Sequence, residues 1–321
     1  MTVRLGVVMD PVETINPKKD STLAMMLAAA RRDWSVFVIT LDGLHVSDGQ
    51  LQIRGHDIRI DTTITDWSSA SDWYQLGPEE TRSPSDFSVL LMRKDPPFNM
   101  EYIYATYLLE MAERSGTPVL NRPGSIRDAN EKLFALRFPQ CCPPHLVSRN
   151  PALLRAFHAE HQDVIYKPLD GMGGMSIFRA APRDSNLSVI IETLTDGGRR
   201  QIMAQRYIPE IVDGDTRILL INGEPIPFGL ARIPLAGESR GNLAAGGTGV
   251  SRALNDRDQW ICEQIAPTLK EYGLYFVGID VIGDYLTEIN VTCPTCIREL
   301  DAQRDLDIAD RYLDFITETL L

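Results

Sequence analysis

Residues 275–299 read Tyr-Phe-Val-Gly-Ile-Asp-Val-Ile-Gly-Asp-Tyr-Leu-Thr-Glu-Ile-Asn-Val-Thr-Cys-Pro-Thr-Cys-Ile-Arg-Glu, and this stretch narrows the choice of fold more than any other. Val277, Ile279 and Val281 alternate with Gly278, Asp280 and Ile282, the period of a half-buried strand. Thr287, Ile289 and Val291 alternate the same way with Glu288, Asn290 and Thr292, and Gly283-Asp284 predicts a tight turn between the two strands. For both apolar rows to reach one core, the connection must hold an odd number of residues, so that Ile279 faces Ile289 and Val277 faces Val291. Asp280 then faces Glu288, and the amide oxygen of Asn290 joins them on a face without apolar cover. Like charges placed opposite each other cost stability unless something neutralises them. Magnesium would do so, since it takes oxygen ligands, keeps several waters and shares its shell with substrate phosphates. A solvated strand face carrying ordinary acidic residues is the other reading.

The chain of 321 residues is long enough for two or three units with real cores. Its net charge of -12 argues against a nucleic-acid binder, because backbone phosphates demand a basic surface. It leaves open a nucleotide held through magnesium and a few local cations. Residues 1–10 turn acidic too soon for a signal peptide, and no apolar run approaches a membrane span. Five cysteines without framework spacing fit a reducing cytosol, so a cytoplasmic protein is expected. Cys293-Pro-Thr-Cys296 has the CxxC spacing, but no second pair completes a zinc site, and a redox role is the lesser reading. Adjacent Cys141 and Cys142 read as small residues in a Pro-rich connection.

From the start of the chain, Val3 to Met9 reads as a buried strand, Ser21 to Arg32 as a helix capped by Asp20, and Val36 to Leu41 as a second strand. That order predicts a parallel sheet with a right-handed crossover. His45 to Asp61, with Asp48-Gly49, predicts an added hairpin, and 65–85 a polar surface loop. Phe87 to Met92 is a further strand that delivers Arg93 and Lys94 to the carboxyl end of the sheet, where ligands of open α/β sheets collect. Arg93 can grip a carboxylate with both prongs or simply belong to a charged turn. A helix from Ser125 carries a buried stripe of Ile126, Ala129, Leu133 and Leu136, which leaves Lys132 off the stripe and, by itself, solvated.

Lys167-Pro-Leu-Asp-Gly-Met-Gly-Gly174 is the second chemical signal. Its glycines let backbone N–H groups approach an anion, with Lys167 as a nearby charge. The spacing is neither a Walker A loop nor a dinucleotide fingerprint, and a plain hairpin turn is the alternative. Arg217 and Arg232 lie on a hairpin turning at Asn222-Gly223. Residues 233–250 have little to pack and many glycines, which predicts either a mobile lid over a reactive intermediate or a linker. The tail after Asp305 has an apolar stripe expected to dock on its own domain.

Taken together, Met9-Asp10-Pro11, Met92-Arg-Lys-Asp-Pro-Pro-Phe98, Asn130-Glu-Lys-Leu-Phe134, the Lys167 to Gly174 loop, Arg240-Gly-Asn-Leu-Ala-Ala-Gly-Gly247 and Thr287-Glu-Ile-Asn-Val-Thr292 resemble the ATP-grasp superfamily and, within it, the bacterial glutathione synthetase family. The Lys-Pro and Glu-x-Asn elements alone indicate only the superfamily. The resemblance implies an ATP-grasp fold: an N-terminal open α/β domain (1–122, Rossmann-like and mostly parallel), a small central lid (123–203), and a C-terminal antiparallel-sheet domain (204–321). It implies that Lys132, Lys167 and the loop bearing Gly171, Gly173 and Gly174 contact ATP phosphates, and that Gln205, Tyr207 and Ile208 line the adenine pocket. Asp280, Glu288 and Asn290 would hold Mg2+, with Mn2+ as a substitute. Arg217, Arg232, Arg240 and Asn242 would surround an acyl phosphate, and Arg93, Thr295 and Cys296 would meet the substrate. The implied reaction joins γ-glutamylcysteine and glycine with ATP, in a homotetramer. Another ATP-grasp carboxylate-amine ligase and a non-catalytic nucleotide-binding module are the competing readings.

Overall fold

The computed structural model describes residues 3–67, 72–235, 241 and 246–321. Among these residues the strands form three sheets. In the first, Ser35–Ile39, Arg4–Val8, Val89–Met92 and Val119–Leu120 lie side by side in parallel. These strands are apolar on both faces because both faces are covered. Leu5 and Val7 share one core with Met25 and Met26 of the helix Ser21–Arg31, and Val8 and Phe37 share the opposite core with Tyr102 and Leu109 of the helix Met100–Arg114. The first helix starts where predicted, with Asp20 Oδ1 accepting the Leu23 N–H at 2.6 Å.

The hairpin Leu44–Ser47 and Gln50–Ile60 turns at Asp48-Gly49, both residues at positive φ, as a two-residue turn of this type requires. The predicted loop over 65–85 is a correction. Residues 68–71 lie outside the described residues, but Tyr74–Arg82 is a strand paired antiparallel with Gln50–Ile60. It is a solvent-facing edge strand, so it lacks the apolar alternation that would announce it, and its Pro78 is tolerated at an edge. Backbone pairing holds it, helped by Arg82, which bonds Asp57 and Glu80 and stacks on Phe37.

The second sheet is antiparallel in the order Phe178–Ala180, Val164–Pro168, Ile202–Arg206, His145–Ser148. The helices Pro151–His161 and Leu187–Leu194 bury Leu154 and Ile191 against Tyr166 and Ala204. The third sheet is antiparallel in the order Thr248–Ala253, Phe228–Ile233, Asp215–Ile221, Phe276–Ile282, Tyr285–Asn290. One of its faces packs Ile218, Leu220, Val277, Ile279 and Ile289 against Ile261, Ile265 and Leu269 of the helix Asp256–Tyr272. Strand alternation turns Arg217, Asp280, Glu288 and Asn290 to the other face.

The C-terminal helix Ile308–Leu320 does not dock on the third sheet's unit alone, as expected from its stripe. Ile308, Tyr312 and Leu313 enter the core shared by Leu5, Met25 and Phe276, and Arg32 binds Asp310 and Asp314 at 2.9 and 2.7 Å. An apolar stripe reports that a helix docks, not on what.

Asn121, at the end of the first sheet, helps fasten it to the third. Asn121 donates to the Phe276 and Val291 carbonyls, both at 2.8 Å, and its Oδ1 accepts from the Tyr275 and Phe276 amides at 2.7 and 2.9 Å. All its hydrogen-bonding capacity in this buried place is used. Asn121→Leu keeps the volume but strands those backbone groups, so unfolding stability should fall by about 3–5 kcal/mol at roughly 1 kcal/mol or more per lost bond. Urea denaturation of the variant checks this.

Candidate active site

Asp280 pairs opposite Glu288, and Ile279 opposite Ile289, as the strand periods require. The connection, however, is the two-residue turn Gly283-Asp284 and not an odd loop, because Ile282 pairs with Tyr285. A bulge between Asp280 and Val281 absorbs the difference: Thr287 is the extra residue, and its Oγ1 donates to the Asp280 carbonyl at 3.0 Å. Bulges re-aim side chains beside functional sites. Here the bulge keeps the apolar rows in register on both sides of the turn and turns Asp280, Glu288 and Asn290 together.

These carboxylates are neutralised by the protein's own cations. Arg217 binds Asp280 with two prongs, Nε–Oδ1 at 2.5 Å and Nη2–Oδ2 at 3.0 Å, and Arg232 Nη2 lies 2.9 Å from Oδ2. Burial would push the Asp280 carboxyl up, but the two guanidiniums outweigh it and hold the group below the usual carboxylate range. Glu288 Oε1 lies 3.5 Å from Lys132 Nζ and 3.7 Å from Lys167 Nζ. Those two charges likewise overcome burial and hold Glu288 low. Burial in turn lowers Lys167, with Glu288 as the chief opposing influence. Asn290 Nδ2 donates to the Gly278 carbonyl and to Asp280 Oδ2, at 3.1 and 3.3 Å.

Lys132 is buried, not solvated, and the stripe that placed it outside is a correction. The helix breaks at Ala129-Asn130 into Pro123–Asp128 and Glu131–Ala135. Asn130 Oδ1 accepts the Lys132 and Leu133 amides and starts the second helix on a new axis, which exposes Leu133 and points Lys132 inward. Lys132 Nζ donates to the Gly171 carbonyl at 2.7 Å, tying the glycine loop to the helix. That loop joins Val164–Pro168 to Phe178–Ala180, strand to strand as expected, with Gly173 and Gly174 at positive φ.

A cavity of about 140 Å³ lies between the second and third sheets. It is lined by Lys132, Lys167, Gly171, Gly173, Gly174 and Glu288, and also by Ile165, Gln205, Tyr207, Ile208 and Ile282. An anionic group suits the first set and a flat apolar ring the second. Tyr207 spends its own N–H on the Asp163 carbonyl at 2.9 Å, and Arg179 stacks on its ring. A larger cavity of about 430 Å³ adjoins it, lined by Arg93, Arg217, Arg232, Thr295 and Cys296. Arg93 donates Nε to Thr22 Oγ1 at 3.2 Å and Nη2 to the Pro294 carbonyl at 2.8 Å, so part of its fork already braces the cavity wall. Arg240 and Asn242 lie outside the described residues, as does much of the segment 233–250 that was expected to act as a lid or linker.

Two carboxyl groups escaped the sequence reading. Asp215 lines the smaller cavity, accepts from Arg232 Nη2 on Oδ2 at 2.5 Å and, among the described residues, has no hydrogen-bond partner for its buried Oδ1. Burial pushes this carboxyl up to about 7. Glu131 lines both cavities and accepts from Thr292 Oγ1 at 2.9 Å; burial and the Glu288 charge raise it. Asp215 stands one strand period before Arg217 and so on the same face, which was the available signal for it. Glu131 carried only its place beside Lys132.

Comparison with known proteins agrees with this architecture. The family model described as prokaryotic glutathione synthetase, N-terminal domain, matches residues 3–127, and that for the ATP-grasp domain of the same enzyme matches residues 131–305. A glutathione synthetase of Pseudomonas aeruginosa is 57% identical over 320 residues, and one of Pseudomonas putida 56%, each alignment covering 100% of this chain and 99% of the relative. One of Vibrio vulnificus is 52% identical over the same length, with 99% of the relative covered. Among solved structures, the D-cycloserine synthetase DcsG superposes with a TM-score of 0.66 at 15% identity, covering 99% of this chain and 100% of that one. The ATP-grasp ligase PsnB complexed with minimal precursor gives 0.64 at 16% identity and 99% of each chain. Both share the fold. With both halves of the family matched and more than half of all residues identical to those relatives, the chain belongs to the prokaryotic glutathione synthetases, ATP-dependent ligases built on the ATP-grasp fold.

Proposed function

We propose that the chain joins γ-glutamylcysteine to glycine, forming glutathione with release of ADP and phosphate through an acyl phosphate. What supports this most is the meeting of the two cavities. The smaller one suits a nucleotide, the larger one suits a peptide carboxylate, and Arg217, Asn290 and Gly173 line both. A carboxylate is a poor electrophile, so it must first take the terminal phosphoryl group across that junction. Lys132, Lys167 and the glycine loop bind and orient the phosphates. Arg217 and Arg232 meet charge developing on the acyl phosphate, and Arg240 and Asn242 are carried as partners in that role from the family resemblance. Phosphoryl transfer asks for positioning and charge neutralisation more than covalent help.

Asp280, Glu288 and the Asn290 amide oxygen are hard donors on one face, and they fit Mg2+, with Mn2+ as a substitute. Among the described residues no group of three or more His, Cys, Asp or Glu gathers as a metal cage. That suits an ion which takes few protein ligands and completes its shell with phosphates and water. When bound, it supplies neutralisation of the β- and γ-phosphate charge. The residues 1–122, 123–203 and 204–321 would act as substrate domain, lid and catalytic unit.

A coupled ADP assay with each substrate omitted in turn tests the reading. ADP release should require γ-glutamylcysteine and glycine together, stop with EDTA, and return with Mg2+ or Mn2+. Release indifferent to either substrate, or faster with another acceptor amine, rejects it.

A further inference from the structure

We infer that the Glu131 carboxylate takes the proton that the amine substrate must shed before it attacks the acyl phosphate, an assignment that rests on the reaction proposed above. The acyl carbon has to sit where the two cavities meet, because the phosphoryl group comes from one and the carboxylate from the other. Among the described residues five line both: Glu131, Met172, Gly173, Arg217 and Asn290. Met172 and Gly173 offer no base. Arg217 is committed to Asp280 through two bonds, and the Asn290 amide nitrogen donates to Gly278 and Asp280. Of the five, Glu131 alone can accept a proton at that junction. Among the described residues its carboxylate is held from one side, by the Thr292 hydroxyl donating to Oε1 at 2.9 Å. Proton transfer needs hydrogen-bond reach first and basicity second, and position is what Glu131 has.

The step balances without any added reagent. The amine arrives as an ammonium ion with no free electron pair. One proton passes from nitrogen to a Glu131 oxygen, which frees the pair. The N–C bond then forms, the C–O bond to the phosphoryl group breaks, and that electron pair leaves with phosphate. The nitrogen's second proton goes to a phosphate oxygen, and Glu131 returns its own to water.

The test uses the full-length enzyme with Mg-ATP, γ-glutamylcysteine and either of two nucleophiles. Glycine is an ammonium ion at neutral pH; hydroxylamine is already unprotonated and traps acyl phosphates as hydroxamates. Glu131→Gln keeps an oxygen for Thr292 but cannot take a proton. Ligation of glycine should fall by about 10²–10⁴-fold, the usual worth of a positioned base, while hydroxamate formation stays within about tenfold of the wild-type rate. Hydroxamate formation also reports that the variant is folded and still makes acyl phosphate. Equal losses with both nucleophiles would make Glu131 a structural residue, and an undiminished glycine rate would remove it from the reaction; either result overturns the assignment. Absence of substrate-dependent ADP release by the wild-type enzyme would instead strike the ligase reading itself.

Discussion

Asp280→Asn should slow ligation severely and weaken the fold at the same time. The substitution is nearly isosteric, so packing is kept and only the charge is lost. Asp280 is 3% exposed and is the shared anion of Arg217 and Arg232. Removing one member of a buried ion pair leaves the others desolvated without compensation, at a cost of about 3–5 kcal/mol. Asp215 remains on Arg232, but Arg217 loses the carboxylate that both of its prongs bind. Turnover should fall by about 10²-fold or more, since charge-stabilising groups in a closed site are worth that much each.

The pH dependence gives an independent reading of the same network. Asp280 is held below the usual carboxylate range in the folded state, so its contribution is present above its unfolded value and is lost as the pH falls through the folded one. Wild type and Asp280→Asn should therefore differ most at neutral pH and converge in acid. Urea melts across that range measure the gap. A variant as stable as wild type at neutral pH, or one that ligates at the normal rate, would dissolve the network as described.

Much of this arrangement is legible in the residues, and what is not has identifiable causes. Strand periods gave the shared face of Asp280, Glu288 and Asn290, because side-chain alternation is a local property of the backbone. The turn pairs Asp48-Gly49 and Asn222-Gly223 were legible for the same reason, since the positive φ they need is written in their composition. Thr287 was not legible as a bulge residue, because the residue count in a hairpin constrains only the sum of loop and bulge. An odd loop and an even loop with one extra strand residue satisfy the same apolar register.

Lys132 shows a second kind of loss. A stripe drawn through Ile126, Ala129, Leu133 and Leu136 assumes one helix axis, and Asn130 was a cap signal inside that stripe. Restarting the helix there reverses which side chains are inside. The edge strand at 74–82 and the docking partner of the C-terminal helix depend on contacts with distant residues, which a single sequence does not write down. Site chemistry followed the same division. Charges within the apolar alternation of strands were found, whereas Glu131, on a helix, and Asp215, the first residue of its strand, became visible only when two cavities and a neighbouring guanidinium were placed around them.

Glu288→Gln should have the larger effect on nucleotide use and the smaller one on stability. Lys132 and Lys167 share this carboxylate, and Glu288 is the chief influence opposing the desolvation that lowers the buried Lys167. Under the proposed function, phosphates entering the cavity would draw on those same two lysines, and Glu288 would exchange them for the divalent cation proposed for that face. A neutral amide in its place could not complete that exchange, and it would also leave Lys167 less able to hold its proton. The value of kcat/KM for ATP should fall by about 10²–10³-fold, and ATP affinity should become nearly independent of added Mg2+. Stability should fall less than in Asp280→Asn, because Glu288 is about one-fifth exposed and a lysine can shed its charge where an arginine cannot. Glu288 is also held low in the folded state, so its stabilisation too is lost as the pH falls through its folded value, and the variant should lack that slope. Titration of ATP against each protein with and without Mg2+ decides the matter. An unchanged magnesium dependence would move the ion away from Glu288, leaving the two lysines as its whole purpose.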